Sequence, residues 1–334
     1  MTREPETLIE IVGGGVAAAC CAHLLQEAGL GVRRAASGRS GVPALMLSDP
    51  ARALLRDVMG DPALFERNAR INRRIVAWGG NEPKAMPHGA VMLGAGDLDF
   101  AVEASPRQGT PRFTINTDGP PGAAAMTRFG ERHGETVPVA LLESDDADAC
   151  WIEAVENGWL FMIPSAARQG WLLAIGAPLD QLLAESRYLA RRVEPDGTPP
   201  ARFDTTPRML DTFAADDWLA CGSRSMAFDP ICGDGTALAV RQALLVSGIV
   251  TAEQAGEDRT ALFGHYRAMM IAAMRRHLRL SAEFYASGGT GPWWRAQHEA
   301  IAQGFARCSA LLECEPPPRF ALEGVDIVRR EPAA

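Results

Sequence analysis

Lysine is almost absent from this chain: Lys84 is the only one, and arginine supplies the rest of the positive charge. Basic residues are also outnumbered, 33 against 41 acidic residues, which leaves a formal net charge of -8. A nucleic-acid-binding surface requires clustered lysine and arginine, so the composition argues against nucleic acid as a partner. Histidine is scarce too, and the six histidines are too scattered to predict a metal site.

The chain also lacks a C-x-x-C pair. An odd number of cysteines without paired spacing predicts buried, reduced thiols and a cytoplasmic protein. No charged-then-apolar leader opens the sequence, and no run of about 18 uncharged apolar residues predicts a membrane span. The seven cysteines are Cys20, Cys21, Cys150, Cys221, Cys232, Cys308 and Cys314.

A glycine-rich turn stands near the start of the chain. Residues 8–12 are short, apolar and β-prone, a helix is predicted over 16–28, and a second strand begins near Val32. Between the first strand and the helix the residues fit G-x-G-x-x-A, which is typical of a dinucleotide-binding βαβ unit. Gly13 would allow the tight turn, Gly15 the close approach of a pyrophosphate, and Ala18 the packing of helix on strand. The predicted phosphate-facing stretch is Gly13, Gly15, Val16, Ala17 and Ala18.

The second strand departs from this motif. An acidic residue is expected at its end to bind the adenosine ribose, but Ala36 occupies that place. Arg33 and Arg34 precede it, and a basic pair there could suit a 2′-phosphate, but the two side chains point to opposite faces of the strand, which favours solvated edge residues. A glycine turn that serves packing alone also remains open.

The middle of the chain predicts mainly strands. Helices are predicted over 49–68 and 179–193, and strands over the segments that end at Trp78 and near Asp118. Asn157-Gly158 is a hairpin signal, and three antiparallel strands are expected near 150–155, 159–164 and 171–177. A Pro-rich segment follows the second helix. This order predicts a discontinuous dinucleotide domain interrupted by a β-sheet.

A second glycine segment follows a buried-looking strand at 218–221. Gly222 and Ser223 come directly after the strand, Asp229-Pro230 follows, and Gly233-Asp234-Gly235 opens an apolar helix expected over 236–250. Free N–H groups at a helix N-terminus favour negative charge, so the pattern suits a bound anionic edge. An ordinary loop with Asp234 near the helix cap is the alternative.

Taken in order, these motifs resemble the FAD-dependent aromatic hydroxylases of the p-hydroxybenzoate hydroxylase type, especially the branch that contains the tryptophan halogenases. "VGGGVAA" is similar to the first FAD fingerprint, "INTDGPPG" to the family's D-A-x-G-R turn, and "ENGWLFMIPS" to its W-x-W-x-I-P strand. "DDWLACGSRSMAFDPICGDGTALAV" resembles the second flavin motif, and "EFYASGGTGPWWRAQ" the F-Y…F-W segment near the end. Ser223 stands where the family has an aspartate.

The resemblance implies an α/β fold: a Rossmann-like FAD domain of the glutathione reductase/p-hydroxybenzoate hydroxylase type, an inserted antiparallel substrate sheet and a helical C-terminal region. The predicted FAD segments are 1–75, 110–140 and 205–260, the sheet 76–109 and 141–204, and the helical region 261–334. FAD is expected to bind weakly, because Ala36 and Ser223 replace two polar ligands. The cofactor-binding residues implied by the second motif are Ser223, Asp229, Pro230, Gly233, Asp234, Gly235 and Thr236.

By the same resemblance, reduced FAD would react with oxygen to a C4a-hydroperoxide that oxygenates an aromatic or tryptophan-type substrate, free or within a peptide. Trp78, Trp159 and Phe161 would line the substrate pocket, although large aromatics on strands more often pack in a core. The Trp78-Gly79-Gly80 turn resembles flavoproteins that modify a tryptophan during maturation of quinone cofactors. A flavin reductase is an expected partner.

Three other functions stay open at this point. Halogenases of the family use a lysine on a strand where this chain has Arg73 and Arg74, and Lys84 lies elsewhere, so halogenation ranks below hydroxylation. A flavin-fold protein that has lost catalysis and serves binding or assembly would also explain Ala36 and Ser223. An NAD(P)-dependent oxidoreductase would share the first glycine turn but would not need the loop over 229–235. No catalytic residue and no metal ligand is predicted.

Overall fold

A computed structural model describes residues 8–35, 44–98, 109–117 and 125–330. Within these ranges the chain forms six α-helices and four sheets. The helices are α1 (Gly15–Glu27), α2 (Asp49–Met59), α3 (Leu179–Glu185), α4 (Gly235–Gln254), α5 (Arg259–Gly288) and α6 (Pro292–Glu313).

The strands belong mostly to the first two thirds of the chain. In chain order they are β1 (Leu8–Val12), β2 (Gly31–Ala35), β3 (Ala44–Ser48), β4 (Arg70–Ala77), β5 (Lys84–Gly94), β6 (Phe113–Asn116), β7 (Met126–Arg128), β8 (His133–Leu141), β9 (Ala149–Val155), β10 (Gly158–Ala166), β11 (Gln169–Gly176), β12 (Val193–Pro195), β13 (Ala201–Asp204), β14 (Arg208–Leu210), β15 (Ala214–Ala215), β16 (Trp218–Ala220), β17 (Met226–Ala227), β18 (Phe320–Glu323) and β19 (Asp326–Arg329).

The small sheet has the order β15-β16-β6-β1-β2, and β16, β6, β1 and β2 run parallel. The predicted βαβ unit is therefore formed, with α1 between β1 and β2. Residues such as Ile9, Ile11 and Ile115 are fully buried, as expected for a parallel sheet covered on both faces. Helices α1 and α4 pack against each other in the same core.

The large sheet has nine strands in the order β12-β8-β11-β10-β9-β4-β5-β3, with β13 on β8. It is antiparallel except for the β4–β9 pair, and the predicted hairpin strands are present at β9, β10 and β11. The predicted segment boundaries cut across this sheet, because β3, most of β4 and β8 lie in it although they come from the segments predicted for FAD. The division into domains stays a prediction.

Two predicted helices are shorter in the structure. The first ends at Met59 rather than residue 68, because Gly60 takes a left-handed conformation at φ 64° and closes the helix. The second ends at Glu185 rather than residue 193. Its chain turns there because the buried carboxylate of Glu153 accepts hydrogen bonds from Ser186 Oγ and from backbone N–H groups of residues 187–189.

The helical C-terminal region was predicted over 261–334, but strands β18 and β19 form a hairpin within it. Gly324 at φ 64° makes the turn. The hairpin packs on α4 where Gly248 lacks a side chain, and a Cβ there would lie 2.8 Å from the carbonyl oxygen of Val325. The C-terminal region is therefore helical over α5 and α6 but ends in a β-hairpin.

Among the described residues, only α4 has the length and mean hydropathy, 1.4, that a membrane-spanning helix requires. Just over half of that window, 56%, is buried, as in the core helix of a globular protein, so the signal is weak. All seven cysteines are free; five are buried, Cys232 is half-buried and Cys314 is exposed.

Candidate functional site

Three parallel strands of the small sheet end at one edge. Their register pairs Val12 of β1 with Asn116 of β6, and Asn116 with Ala220 of β16. The segments that follow, from Gly13, Thr117 and Cys221, therefore emerge side by side. Open parallel sheets bind ligands outside the carboxyl ends of their strands, where the strand order reverses, and β1 lies at such a point between β2 and β6.

The first glycine turn leads into α1 at this edge. Gly13, at φ 124°, donates its N–H to the carbonyl of Ala35 at 3.0 Å, and Gly15 has φ 72°. A Cβ built on Gly14 or Gly15 would meet no atom within 4 Å, and both residues are exposed. No side chain caps α1. Packing does not demand glycine at either position, although the left-handed φ of Gly15 favours it, and the Cβ positions of both residues are open.

The two glycine motifs touch each other inside the protein. Val16, Ala17 and Ala18 are all buried at the start of α1. Gly222, at φ 71°, sits against this helix so closely that a Cβ would lie 2.9 Å from Ala17 Cβ. Further along, Cys21 Sγ and Cys221 Sγ are 4.0 Å apart. The structure thus brings together two segments that lie two hundred residues apart in the chain.

Ser223 lies in a short 3₁₀ turn over Gly222–Arg224, and its side chain is exposed. The turn is fixed from beneath by Gln242 of α4, whose Oε1 accepts from Gly222 N at 2.6 Å and from Ser225 Oγ at 3.1 Å. Ser223 itself takes no part in that support. Its contact with a ribityl chain remains a prediction.

The second turn connects β17 to α4. Asp229 caps a 3₁₀ turn over Pro230–Cys232 by accepting from Ile231 N, Gly233 follows at φ 62°, and Gly235 begins α4. No atom lies within 4 Å of a Cβ built on Gly233 or Gly235, and both are exposed. The Asp234 side chain does not cap α4; it lies 3.5 Å from Arg241, and Thr236 is half-buried. The Cβ positions at this uncapped helix start are again open.

The Asp229 side chain points away from that space. Its carboxylate has 0% exposure and is paired with the equally buried Arg132, with 2.5 Å between Nη1 and Oδ2. Tyr285 donates to the same oxygen at 2.7 Å, and His277 Nε2 accepts from the Asp229 N–H at 2.9 Å. A cofactor contact at Asp229 would therefore come through its backbone. Sequence reasoning missed Arg132, His277 and Tyr285, which lie 48 to 97 residues from Asp229 without a local motif.

Burial sets the protonation of this cluster. It lowers the pKa of His277 to about 3, with a contribution from the positive charge of Arg132, so the imidazole is neutral at pH 7. Burial also raises the pKa of Tyr285 well above its ordinary value, and the nearby Asp229 carboxylate adds to this. The phenol therefore stays protonated and acts as a hydrogen-bond donor.

The predicted pocket aromatics occupy different surroundings. Trp159 has 1% exposure and donates its Nε1–H to Tyr285 Oη at 3.4 Å. Trp78 is half-buried, donates to the Phe284 carbonyl at 3.2 Å and meets the Trp294 ring edge-on at 5.3 Å between centroids. Both rings pack between the large sheet and the C-terminal helices.

Phe161 lies further along the same face of the large sheet as Trp159. It is half-buried, with Ile152 and Leu173 as its register neighbours on β9 and β11. Phe161 and Trp78 are therefore both half-buried, whereas Trp159 is fully enclosed. Whether any of the three aromatics contacts substrate remains a prediction.

The basic residues near β4 do not form a site with a lysine. Lys84 is exposed at the first position of β5. Arg73 pairs with Asp148 at 2.7 Å, and Arg74 Nη2 lies 3.0 Å from His88 Nε2. Across the described ranges, no three His, Cys, Asp or Glu side chains are grouped to hold a metal ion. Ala36 and the predicted turn at Asp118 lie outside the described residues.

The same fold occurs in solved flavoenzymes. The peptidyl tryptophan dihydroxylase QhpG, essential for tryptophylquinone cofactor biogenesis, is 19% identical; the alignment covers 88% of this chain and 79% of that one, with a TM-score of 0.67. The flavin-dependent halogenase CmlS is 15% identical over 94% and 73%, at 0.73. The myxobacterial chondrochloren halogenase CndH, an FAD-dependent enzyme, is 15% identical over 94% and 92%, at 0.71.

No family model and no curated protein sequence matches the chain. At these identities the structural likeness establishes the fold, and it confirms the fold class predicted from the sequence: that of the flavin-dependent hydroxylases and halogenases. The glycine turns at Gly13–Gly15 and Gly233–Gly235 lie at helix N-termini, which is where this class of parallel sheet binds anionic ligands.

Proposed function

We propose that this protein binds FAD at the edge of the small sheet and acts as an FAD-dependent monooxygenase of the hydroxylase type. The observation that carries the proposal is the pair of exposed glycine turns, each at an uncapped helix N-terminus and each with open space where a Cβ would stand. The left-handed backbone at Gly15 and Gly233 favours glycine by itself, whereas Gly14 and Gly235 have neither a positive φ nor a packing neighbour, and close approach of a ligand would explain glycine at those two positions.

The residues present fit the two ends of the cofactor. The N–H groups at the start of α1 would hold the pyrophosphate, and those of Gly235 and Thr236 at the start of α4 would face the pyrimidine edge of the flavin ring. FAD, when bound, would supply the redox and oxygen-activating chemistry. The protein would orient the ring, favour its negatively charged reduced form and exclude water from the face covered by the large sheet.

An aromatic substrate fits the apolar sheet face around Phe161. A tryptophan-type side chain, free or in a peptide, is the more specific proposal, supported by the likeness to a peptidyl tryptophan dihydroxylase. Halogenation stays second, because the only lysine is exposed at the start of β5. Electrons would come from a flavin reductase, and the buried free thiols suit a reduced, cytoplasmic setting.

Titration of the purified protein with FAD, followed by flavin fluorescence and absorbance, tests the proposal. We expect saturable binding of one FAD, weak enough that part of it is lost on purification. Reoxidation of the reduced complex in air should consume oxygen, and an indole-containing peptide should gain oxygen atoms in mass spectra. A protein that takes up no FAD at high micromolar concentration would instead serve binding or assembly.

A pair of variants at Gly14 locates the pyrophosphate. Gly14 has an extended backbone, φ -132°, at the cap position of α1, so Gly14→Asp and Gly14→Asn can both cap the helix without strain. Only the aspartate places a negative charge beside the phosphates, and near a surface such repulsion exceeds about 1 kcal/mol. Gly14→Asp should therefore bind FAD at least about fivefold more weakly than Gly14→Asn. Equal affinities in the two variants would mean that the phosphates bind elsewhere.

A further inference from the structure

The loop over 229–235 is held by a buried ionic cluster that reaches three other parts of the chain. Arg132 and Asp229 have no exposed side-chain surface, and two charges without water are costly unless their hydrogen bonds are nearly complete. An apolar pair of the same size would fill this space with less loss of solvation. A buried pair kept at such a cost is better explained by the conformation that it specifies than by its contribution to stability.

The cluster fixes the loop backbone from two sides. Asp229 Oδ1 accepts from Ile231 N at 2.9 Å, while its own N–H donates to His277 Nε2 at 2.9 Å. The other carboxylate oxygen receives Arg132 and Tyr285. The side chain therefore cannot rotate without breaking contacts at both oxygens. The turn that it caps leads directly into Gly233 and the first N–H groups of α4.

Each partner belongs to a different element. Arg132 immediately precedes β8 of the large sheet, and its Nη2 donates to the Phe129 carbonyl at 2.9 Å. Tyr285 lies on α5, and its hydroxyl accepts from Trp159 on β10. The guanidinium of Arg132 also lies over the Tyr285 ring, 4.8 Å from its centroid. The large sheet and the C-terminal helix thus meet at the carboxylate that shapes the loop.

We propose that Arg132 and Tyr285 are positioning residues that, through the Asp229 carboxylate, hold the 229–235 loop open toward the flavin ring. The inference rests on the proposed function for the identity of the ligand. The conformational part concerns the loop itself and can be tested without FAD.

Tyr285→Phe is the most direct test, since it removes one hydroxyl and keeps the ring. Hydrogen–deuterium exchange of the FAD-free protein, read by mass spectrometry on peptides that contain residues 229–236, should be about tenfold faster than in the parent, because a hydrogen bond to a buried carboxylate is lost. FAD affinity should fall by about the same factor, because the loop spends more time in other shapes.

Tyr266→Phe is the matched control. Tyr266 is buried on the same helix, and its hydroxyl donates to the Ala220 carbonyl at 2.6 Å rather than to the loop. It should lower the melting temperature without faster exchange in 229–236. If Tyr285→Phe leaves that exchange unchanged, or if Tyr266→Phe accelerates it equally, the positioning role is refuted.

Two further measurements keep the two proposals separate. If the parent protein does not bind FAD, the proposed function fails, and the exchange experiment still decides the role of Tyr285. If Tyr285→Phe does not fold, Arg132→Lys replaces it as the test. Lysine keeps the buried charge but cannot donate from two fixed nitrogens to Asp229 and to the Phe129 carbonyl. Faster exchange over 229–236 in that variant supports the proposal, and exchange equal to that of the parent overturns it.

Discussion

The two turns that face the proposed cofactor are built in different ways. The Gly13–Gly15 turn is shaped by its own strand and helix, with a backbone hydrogen bond from Gly13 N to the Ala35 carbonyl and no side-chain cap on α1. The Asp229–Gly235 loop ends in the same arrangement, an exposed glycine at an uncapped helix. It is held, however, by a buried ion pair and two ring side chains from distant parts of the chain.

This difference shows that equivalent openings can depend on local or on long-range structure. The first turn needs only the parallel β1–β2 pair and α1, which are adjacent in the chain. The second requires that β8, α5 and the loop are already assembled around Asp229. We therefore expect changes in pH and in buried charge to affect the second turn far more than the first.

Removal of the buried cation should have the largest effect. Arg132→Met leaves the Asp229 carboxylate buried without its partner, and breaking such a pair costs about 3–5 kcal/mol of unfolding free energy. Arg128→Met is the control, because the Arg128–Asp204 pair is 45% and 30% exposed and should contribute less than about 1 kcal/mol. Urea unfolding of both variants measures the difference. Similar losses in the two would show that the buried pair does not anchor the second turn.

The next largest effect should be on the pH dependence of stability, through His277, which lies against the second turn. The unfolded chain protonates His277 near pH 6.5, whereas the folded protein does so only near pH 3, so the unfolded state binds the extra proton between these values. The contribution of the neutral His277 side chain to the free energy of unfolding is therefore complete above about pH 6.5. Below that pH it falls by up to about 1.4 kcal/mol per pH unit. Unfolding measured at pH 6.5 and at pH 5 should show this loss.

His277→Gln provides the comparison for that series. Glutamine keeps an acceptor for the Asp229 N–H but does not titrate, so its stability should change less between pH 6.5 and pH 5 than that of the parent. Burial lowers the pKa of His88 and His265 as well, and these residues contribute the same background to both proteins. Parallel pH curves for parent and variant would rule out His277 as the source.

Substitution of Ser223 should have the smallest effect, and it tests the turn that joins the two motifs. Ser223→Asp restores the charge expected by resemblance at an exposed position, and a charged hydrogen bond exceeds a neutral one by roughly 1 kcal/mol. FAD should then bind about fivefold more tightly. Ser223→Asn separates charge from size and should change affinity little. No gain with aspartate would place the ribityl chain away from this residue.

The two turns also show how far local patterns reach. The strand–glycine–helix order around Gly13 and the Asn157-Gly158 hairpin were both readable, because each depends on neighbours within about ten residues. The ends of α2 and α3 could not be predicted in this way. The first depended on a left-handed Gly60, and the second on the buried carboxylate of Glu153, which attracts the N–H groups of another segment.

The aromatic residues of the large sheet also show what local sequence patterns cannot predict. Trp78, Trp159 and Phe161 look alike in sequence, as large side chains on or near β-strands. Packing of α5 and α6 against one end of the sheet encloses Trp159, whereas Trp78 and Phe161 both stay half-buried. Which of them faces substrate depends on where those helices lie.

The sequence by itself determined the βαβ unit, the antiparallel hairpins and the positions of the two glycine turns, because each of these follows from backbone conformation and hydrophobic periodicity over short stretches. The order of these motifs predicted the fold class through their resemblance to the FAD-dependent aromatic hydroxylases. Only the tertiary structure decided that Asp229 turns inward to Arg132 and Tyr285 and that Gly222 meets Ala17. Contacts between residues far apart in the chain depend on how sheets and helices pack, and no local pattern specifies them.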